Sequence, residues 1–447
     1  MQDEADVKPG PVFNFGSRGV RMFILVVIAL LMMIPIGMIS AVVYERASYQ
    51  RSAIAEVGQS WGGAVDISGP ALIVPVEARW VQTITDDEGN ETQKDMVTSR
   101  LPLVLLPEML EINVDTQTQL RSRGIFEVPV YTADIEMRFD FNTDRLGQNL
   151  PERDVIMWNR ASVALLLPST RSFTGAARLT AGESSFDLEP GIPLGGHSGV
   201  RAMLGDPREL GVLELKMGLN GAQYFRVSPA GRLTTMSFTS DWPHPSFNGA
   251  FLPSEREISD EGFSARWEVP HIARDIPQIS HDLEKVDDIV FGVSLFNPVN
   301  FYQKVTRSTK YGTLFVALTF LAVFLMEGLA TKRIHPAQFV LIGAAQSVFF
   351  LLLLALSEQL GFSIAYTAAS LATISLLAYY GFTGLGKRAW VLVAILAVLY
   401  AILYVLLQSA DYALLIGSVL AFVAVAATMV FTRHEAWYGK AGASPPT

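Results

Sequence analysis

Cysteine is absent from the 447 residues, which removes disulfides, thiol nucleophiles and thiolate metal sites at once. Histidine is scarce, six in all, and Asp, Glu, Lys and Arg together make up only 17% of the chain, against about 25% in an ordinary soluble protein. His197, His244, His271 and His281 stand apart without i, i+2 or i, i+4 partners. No metal or cofactor is therefore expected. Catalytic signatures are missing too. S-x-x-K does not occur, and His434-Glu435 has no second histidine to complete H-E-x-x-H. A serine nucleophile elbow is not expected, because GGHSG from Gly195 has the wrong spacing. GFTGLGKR (Gly381–Arg388) approaches the phosphate-loop pattern, but Arg388 stands where a hydroxyl residue would hold magnesium. DDEGNE fails the calcium-loop pattern at Glu88 and at its early glycine. The expectation is a protein that is not an enzyme, with a hydrolase built from distant residues as a lesser possibility.

Apolar runs, by contrast, are abundant. Half of the residues are hydrophobic and mean hydropathy is +0.32. Met22–Val43 carries no charge, and five further runs follow at Tyr311–Ala330, Phe339–Leu356, Phe362–Phe382, Trp390–Leu407 and Ala413–Phe431. Crossing about 30 Å of hydrocarbon takes about 20 residues, so six membrane spans are expected. The first is longer than the roughly 7–15 residues of a signal-peptide core, and Ile39 is a poor residue before a cleavage site. It reads as an uncleaved anchor.

Lys332, Arg333, Lys387, Arg388, Arg433 and Lys440 lie between or after alternate spans, whereas SEQLGF from Ser357 and QSADY from Gln408 have no Lys or Arg. The positive-inside rule then puts both termini in the cytoplasm and Tyr44–Lys310 outside. Arg46 and Arg51 conflict with this order but are outweighed by Lys8, Arg18 and Arg21. The outer segment holds 25 Lys and Arg against 36 Asp and Glu, a balance of −11. Nucleic acid and anionic lipid are poor partners for it.

Within that segment the apolar period shortens to two. IEMRFDF puts Ile135, Met137, Phe139 and Phe141 on one side and Glu136, Arg138 and Asp140 on the other; LELKMGL from Leu213 and FSARWEV from Phe263 do the same. TDDEGNET (Thr85–Thr92) and SPAGR from Ser228 read as turns, and Tyr44–Val57 as a helix continuing the first span. The expected fold is a mixed membrane protein: six transmembrane α-helices, with a large, mostly antiparallel β domain inserted between helices one and two. The divisions are a leader (1–20), helix one (21–43), the β domain (44–310), a five-helix bundle (311–431) and a tail (432–447).

Ionisable residues in or beside the last five spans are Glu327, Glu358 and Asp411. None falls near the midplane, where a coupling site is expected, and spans two to six contain no Gly/Pro-broken helix. Gly343, Ala344, Ala345 and Ser347, like Gly417, Ala421 and Ala424, read as packing faces. A transporter or lipid flippase is the alternative function. The other crowded stretch is TSDWPHPSFNGAFLPSEREI, Thr239–Ile258. Alternation puts Met236, Phe238 and Trp242 on one strand face, and Pro243 and Pro245 then stop the ladder because neither donates an N–H. Asn248-Gly249 reads as a turn before Phe251 and Leu252 return to the core. His244, between two prolines, is thrown outward. Trp242, Pro243, His244, Pro245 and Phe247 form a candidate contact corner.

The block TSDWPHPSFNGAFLPSEREISDEGFSARW resembles the CreD family of bacterial inner-membrane proteins. IPIGMISAVVYERASYQRS from Ile34, SGPALIVPV from Ser68, TKYGTLFVALTFLAVFLMEGL from Thr309, HPAQFVLIGAAQSVFFLLLLALSEQLGF from His335, SADYALLIGS from Ser409 and FTRHEAWYG near the end agree in order. The resemblance implies a cell-envelope integrity factor of the Gram-negative inner membrane. It further implies expression under a two-component system, a link to envelope stress and β-lactam response, and a periplasmic address for the β domain. It supplies no catalytic residues and no cofactor. The partners expected are the lipid bilayer and a periplasmic protein, lipid or glycan.

Overall fold

The structure is a computed structural model. It describes residues 18–85, 91–148, 150–192, 196, 198–283, 286, 288–295, 301–327, 335–386, 389–409 and 413–433. The chain forms two compact units, Met1–Gln50 with Val299–Thr447, and Arg51–Pro298.

Helices build the first unit. α1 (Arg18–Leu31) and α2 (Met33–Ser60) are separated at Met32 alone. Pro35 supplies the reason, since its ring crowds the carbonyl four residues back, at Leu31, and it offers no N–H. Tyr44–Val57 lies within α2, as its helical reading required. Then follow α3 (Phe301–Glu327), α4 (Pro336–Leu360), α5 (Phe362–Leu385), α6 (Ala389–Gln408) and α7 (Ala413–Thr432). Among the described residues, five stretches are long and apolar enough to cross a membrane: Val20–Ser60, Phe301–Met326, Pro336–Leu360, Phe362–Phe382 and Ala389–Gln408. The apolar stretch of the sixth, Leu415–Val430, lies in α7.

Small residues set the packing. A Cβ on Gly343 would come within 2.7 Å of Met32, so this glycine admits a neighbouring helix closely, whereas one on Gly417 would make only ordinary contact with Tyr311, at 3.7 Å. His335 caps α4 by accepting from the Ala337 amide while Gln338 accepts from the His335 amide, with Pro336 as first helical residue. α4 and α5 turn through a single residue, Gly361, whose φ of 76° suits glycine. SEQLGF is therefore largely helix, and Glu358 occupies its last turn.

The second unit is a two-layer β structure. One sheet runs β11 (Leu188–Pro190), β12 (Gly199–Gly205), β8 (Ala161–Leu166), β1 (Val65–Val74), β14 (Tyr224–Val227), β20 (Phe291–Leu295), β16 (Pro245–Gly249), with β4 (Leu103–Leu105) on β1 and β19 (Ile279–Ser280) on β4. The other runs β10 (Ser184–Phe186), β9 (Phe173–Ala181), β13 (Leu213–Ala222), β6 (Phe126–Asp140), β5 (Met109–Arg123), β15 (Leu233–Ser240), β18 (Gly262–Pro270), β17 (Glu255–Ser259). A third is β3 (Glu91–Ser99), β2 (Val76–Thr85), β7 (Asp154–Ile156). Pairing is antiparallel except between β1 and β14 and between β5 and β15.

Alternation decides which face is core. Ile112, Ile135, Met137, Phe139, Phe238 and Trp267 of the eight-stranded sheet bury against Ile67, Leu72, Phe225, Phe291 and Val293 of the other in one cluster. Trp267 donates its indole N–H to the Phe251 carbonyl at 3.2 Å, the partner a buried tryptophan needs. The end of α2 joins the same unit. Ile54, Val57 and Trp61 pack on Val128, Val130 and Ala222, and the Trp61 ring lies under Arg121. Two details depart from the sequence reading. ETQKDMVTS forms strand β3, unforeseen because neither of its faces is apolar, while the turn joining it to β2 lies outside the described residues. Asn248-Gly249 is strand rather than turn.

Candidate functional site

The WPHPSF stretch is where the chain changes sheets. β15 ends at Ser240 in the eight-stranded sheet, and five residues later Pro245 opens β16 at the edge of the other, paired with Leu295 of β20. Pro245 fits there because the first residue of an edge strand need not donate to a ladder. Asn248 and Gly249 continue the pairing against Gly292 and Phe291. Gly249 is held at φ 97°, and a Cβ there would collide with the Val290 carbonyl. The predicted return to the core is half correct: Phe251 packs against Phe291 at 6.1 Å, whereas Leu252 is 69% exposed.

The five corner residues thus do different jobs. Phe247 meets Phe263 and Trp267 edge-on at 5.7 and 5.8 Å and belongs to the packing. Trp242 is half-buried against the core, Pro243 and Pro245 are half-buried, and His244 is exposed, its ring edge-on to Trp242 at 6.4 Å. His271 opens a short helical turn and His281 meets the Pro102 carbonyl at 3.0 Å, while His197 and His434 lie outside the described residues. Among the described residues no three His, Asp or Glu form a metal-holding group.

Two concave places in the β unit are polar. The outer face of the eight-stranded sheet forms a groove of about 920 Å³ lined by Asn113, Asp115, Asp134, Arg178, Lys216 and Thr239, among others. Strand register puts Asp115 directly opposite Asp134, an arrangement of like charges that destabilises a sheet. Beside it Lys216 pairs with Glu136 at 3.3 Å and Arg138 with Glu214 at 2.7 Å. A smaller cleft of about 370 Å³ contains Asp66, Ser68, Ser198 and Arg226. There Arg226 donates twice to Asp66, at 2.7 and 2.8 Å, and lies 4.0 Å over the Tyr224 ring. The Asp66 hydrogen bonds raise the Arg226 guanidinium above its ordinary pKa, and burial, with the Asp66 charge, raises the Tyr224 phenol.

Arg274 had no sequence signal. It is 5% exposed and donates to the carbonyls of Ala230, Gly231 and Ile276 and to Gln278, all neutral acceptors. Burial lowers its pKa to about 10. It ties the loop before β15 to the segment after β18. One motif was also passed over: Gly58–Gly62 reads GQSWG and matches G-x-S-x-G. Ser60 closes α2 and donates to the Glu56 carbonyl at 2.9 Å. A nucleophile elbow needs a strand entering a helix, and this serine ends one.

In the helical unit, Glu358 is the centre of a cluster. Arg46 of α2 donates to both its oxygens at 2.8 Å, and Tyr302 of α3 adds a third bond at 2.8 Å. Nearby elements carry a second chain of bonds, Lys304 to Gln408 at 2.7 Å, Gln408 to Tyr404 at 3.0 Å and Tyr404 to Ser363 at 3.1 Å. Glu327 is the last residue of α3, its side chain outside the described set, as is Asp411 entirely. A polar pair without charge was missed: Gln346 of α4 donates to Thr319 of α3 at 2.6 Å. Gln346 is 4% exposed and its Oε1 has no partner.

The sequence comparisons agree with the architecture. The family model for inner membrane protein CreD matches residues 17–438. The chain belongs to the CreD family. Inner membrane protein CreD of Escherichia coli (strain K12) is 33% identical over 422 residues, covering 92% of this chain and 91% of that one. CreD membership and the apolar helices together make this a multi-pass inner-membrane protein. Among solved structures, an M1 zinc metallopeptidase from Deinococcus radiodurans is 11% identical over 42% of each chain with a TM-score of 0.22. Native yeast LTA4 hydrolase is 7% identical over 48% of this chain and 35% of that one, with a TM-score of 0.20. The chain spans less than half of either, and similarity at that level carries no argument for CreD-family chemistry.

Proposed function

We propose that the chain is a non-catalytic envelope-integrity protein whose β unit lies on the periplasmic side and binds or braces an envelope component in an envelope-stress or β-lactam response. The observation that carries this reading is the polar outer groove of the eight-stranded sheet. Asp115 and Asp134 face each other there at a cost to the sheet, and a cationic or hydroxyl-rich partner would relieve that cost. A protein segment or glycan strand fits such a lining better than an acyl chain. The test is a photo-crosslinker at exposed Thr239 in the groove, in full-length protein in cells, with exposed Glu257 on β17 as control. Capture at Thr239 of a species absent at Glu257 supports the reading; equal, background-level yields at both positions sink it.

A transporter or lipid flippase is the second reading, and one observation favours it. The Gln346–Thr319 pair is buried in the middle of α4, where a substrate path would cross. Loss of the envelope phenotype in Gln346→Leu, with the folded protein at normal abundance, would move the function into the helical unit.

A further inference from the structure

We propose that the first three turns of α3 bind the phosphate-bearing headgroup of an anionic membrane lipid. The net charge of −11 between Tyr44 and Lys310 hides a local reversal: Phe301–Tyr311 reads FYQKVTRSTKY, with three bases and no acid. Lys304, Arg307 and Lys310 are three residues apart, so each step turns about 60° around the helix and the set spans about 9 Å along it. The apolar run of the span begins at Tyr311, directly after them. That spacing puts the three cations at headgroup level, whichever way the protein is oriented.

Basic residues at membrane-helix ends are ordinarily neutralised when they are half-buried, and the cluster at Glu358 shows the chain doing so for Arg46. It does not do so here. Among the described residues neither Lys304, Arg307 nor Lys310 forms an ion pair, and Glu358 is already satisfied by Arg46 and Tyr302. Lys304 spends one donor on Gln408 and lies 5.2 Å over the Phe362 ring, both neutral partners. Arg307 is half-buried, and its Nη1 is buried without a hydrogen-bond partner. A buried guanidinium nitrogen without an acceptor is costly. A phosphate supplies two oxygens that the planar guanidinium can contact in bidentate fashion, with the lysines as point charges at its flanks. Charge complementarity and depth select the headgroup of an anionic lipid as occupant.

The experiment uses full-length protein in zwitterionic detergent, titrated with phosphatidylglycerol or phosphatidylcholine and read by native mass spectrometry. Phosphatidylglycerol is expected to be retained preferentially. Arg307→Gln and Lys310→Gln should each weaken retention about fivefold, the loss for one basic side chain near an anionic headgroup. Arg307→Lys should lose less than Arg307→Gln. Exposed Lys310→Gln keeps the test decisive should the Arg307 variants not fold. Equal retention of both lipids, or retention unchanged in either glutamine variant, overturns the proposal; displacement by millimolar inorganic phosphate would assign the site to free phosphate and overturn the lipid as occupant.

Discussion

Truncating Glu358 to alanine removes three hydrogen bonds to one carboxylate, two from Arg46 and one from Tyr302. The side chains of Arg46 and Glu358 are 36% and 12% exposed, so the pair sits between two regimes. Surface pairs contribute about 0–1 kcal/mol, and breaking a buried pair costs about 3–5 kcal/mol. An intermediate cost of about 2 kcal/mol is appropriate. The Tyr302 hydroxyl, on a side chain that is 1% exposed, then loses its acceptor for about 1 kcal/mol more, which brings Glu358→Ala to about 3 kcal/mol. Glu358→Gln keeps an acceptor for Tyr302 and should cost about half of that. Arg46→Met leaves the carboxylate with Tyr302 alone and should cost about 2 kcal/mol. The double variant Arg46→Met/Glu358→Ala has no orphaned charge and should be destabilised by clearly less than the sum of its parts. Unfolding of the full chain by sodium dodecyl sulfate titration in micelles measures all four. Additive single and double effects would refute the reasoning, because they would show that the two side chains do not sense each other.

Four substitutions in the β unit have stability outcomes that denaturant unfolding of the full chain measures. Gly249→Ala should cost at least about 2 kcal/mol, since strain at positive φ adds to a collision with the Val290 carbonyl. His244→Ala should stay within about 0.5 kcal/mol as an exposed substitution, whereas Trp267→Ala, fully buried, should cost about 3–5 kcal/mol. Asp115→Asn should stabilise by about 0.2–1 kcal/mol by removing the repulsion with Asp134; crosslinking at Thr239 should fall in the same variant if the acidic pair contacts the partner.

What could be read from the sequence was what local periodicity encodes. Ile135, Met137 and Phe139 alternate because one sheet face is buried and the other is not, and the six apolar runs are long because hydrocarbon is thick. β3 escaped because ETQKDMVTS has no apolar face. Asn248-Gly249 misled because turn chemistry is a local preference, while the fate of these residues is set by Phe291 and Gly292, more than forty residues on. Pairing with a distant strand overrides local propensity, and only the crowding at Gly249 shows why a glycine was kept there.

The polar cluster of the helical unit was legible in halves. Arg46 stood out as a base on the wrong side of the first span, and Glu358 as an acid beside the third; each looked like an exception to its own rule. They are one feature. A bidentate bond joins them, so neither side chain stands as an isolated charge. Arg307 of α3 differs: it is half-buried, and among the described residues it has no carboxylate partner. The headgroup proposed at α3 would supply to Arg307 the acceptor that Glu358 supplies to Arg46, and the contrast between the two arginines is what the lipid titration tests.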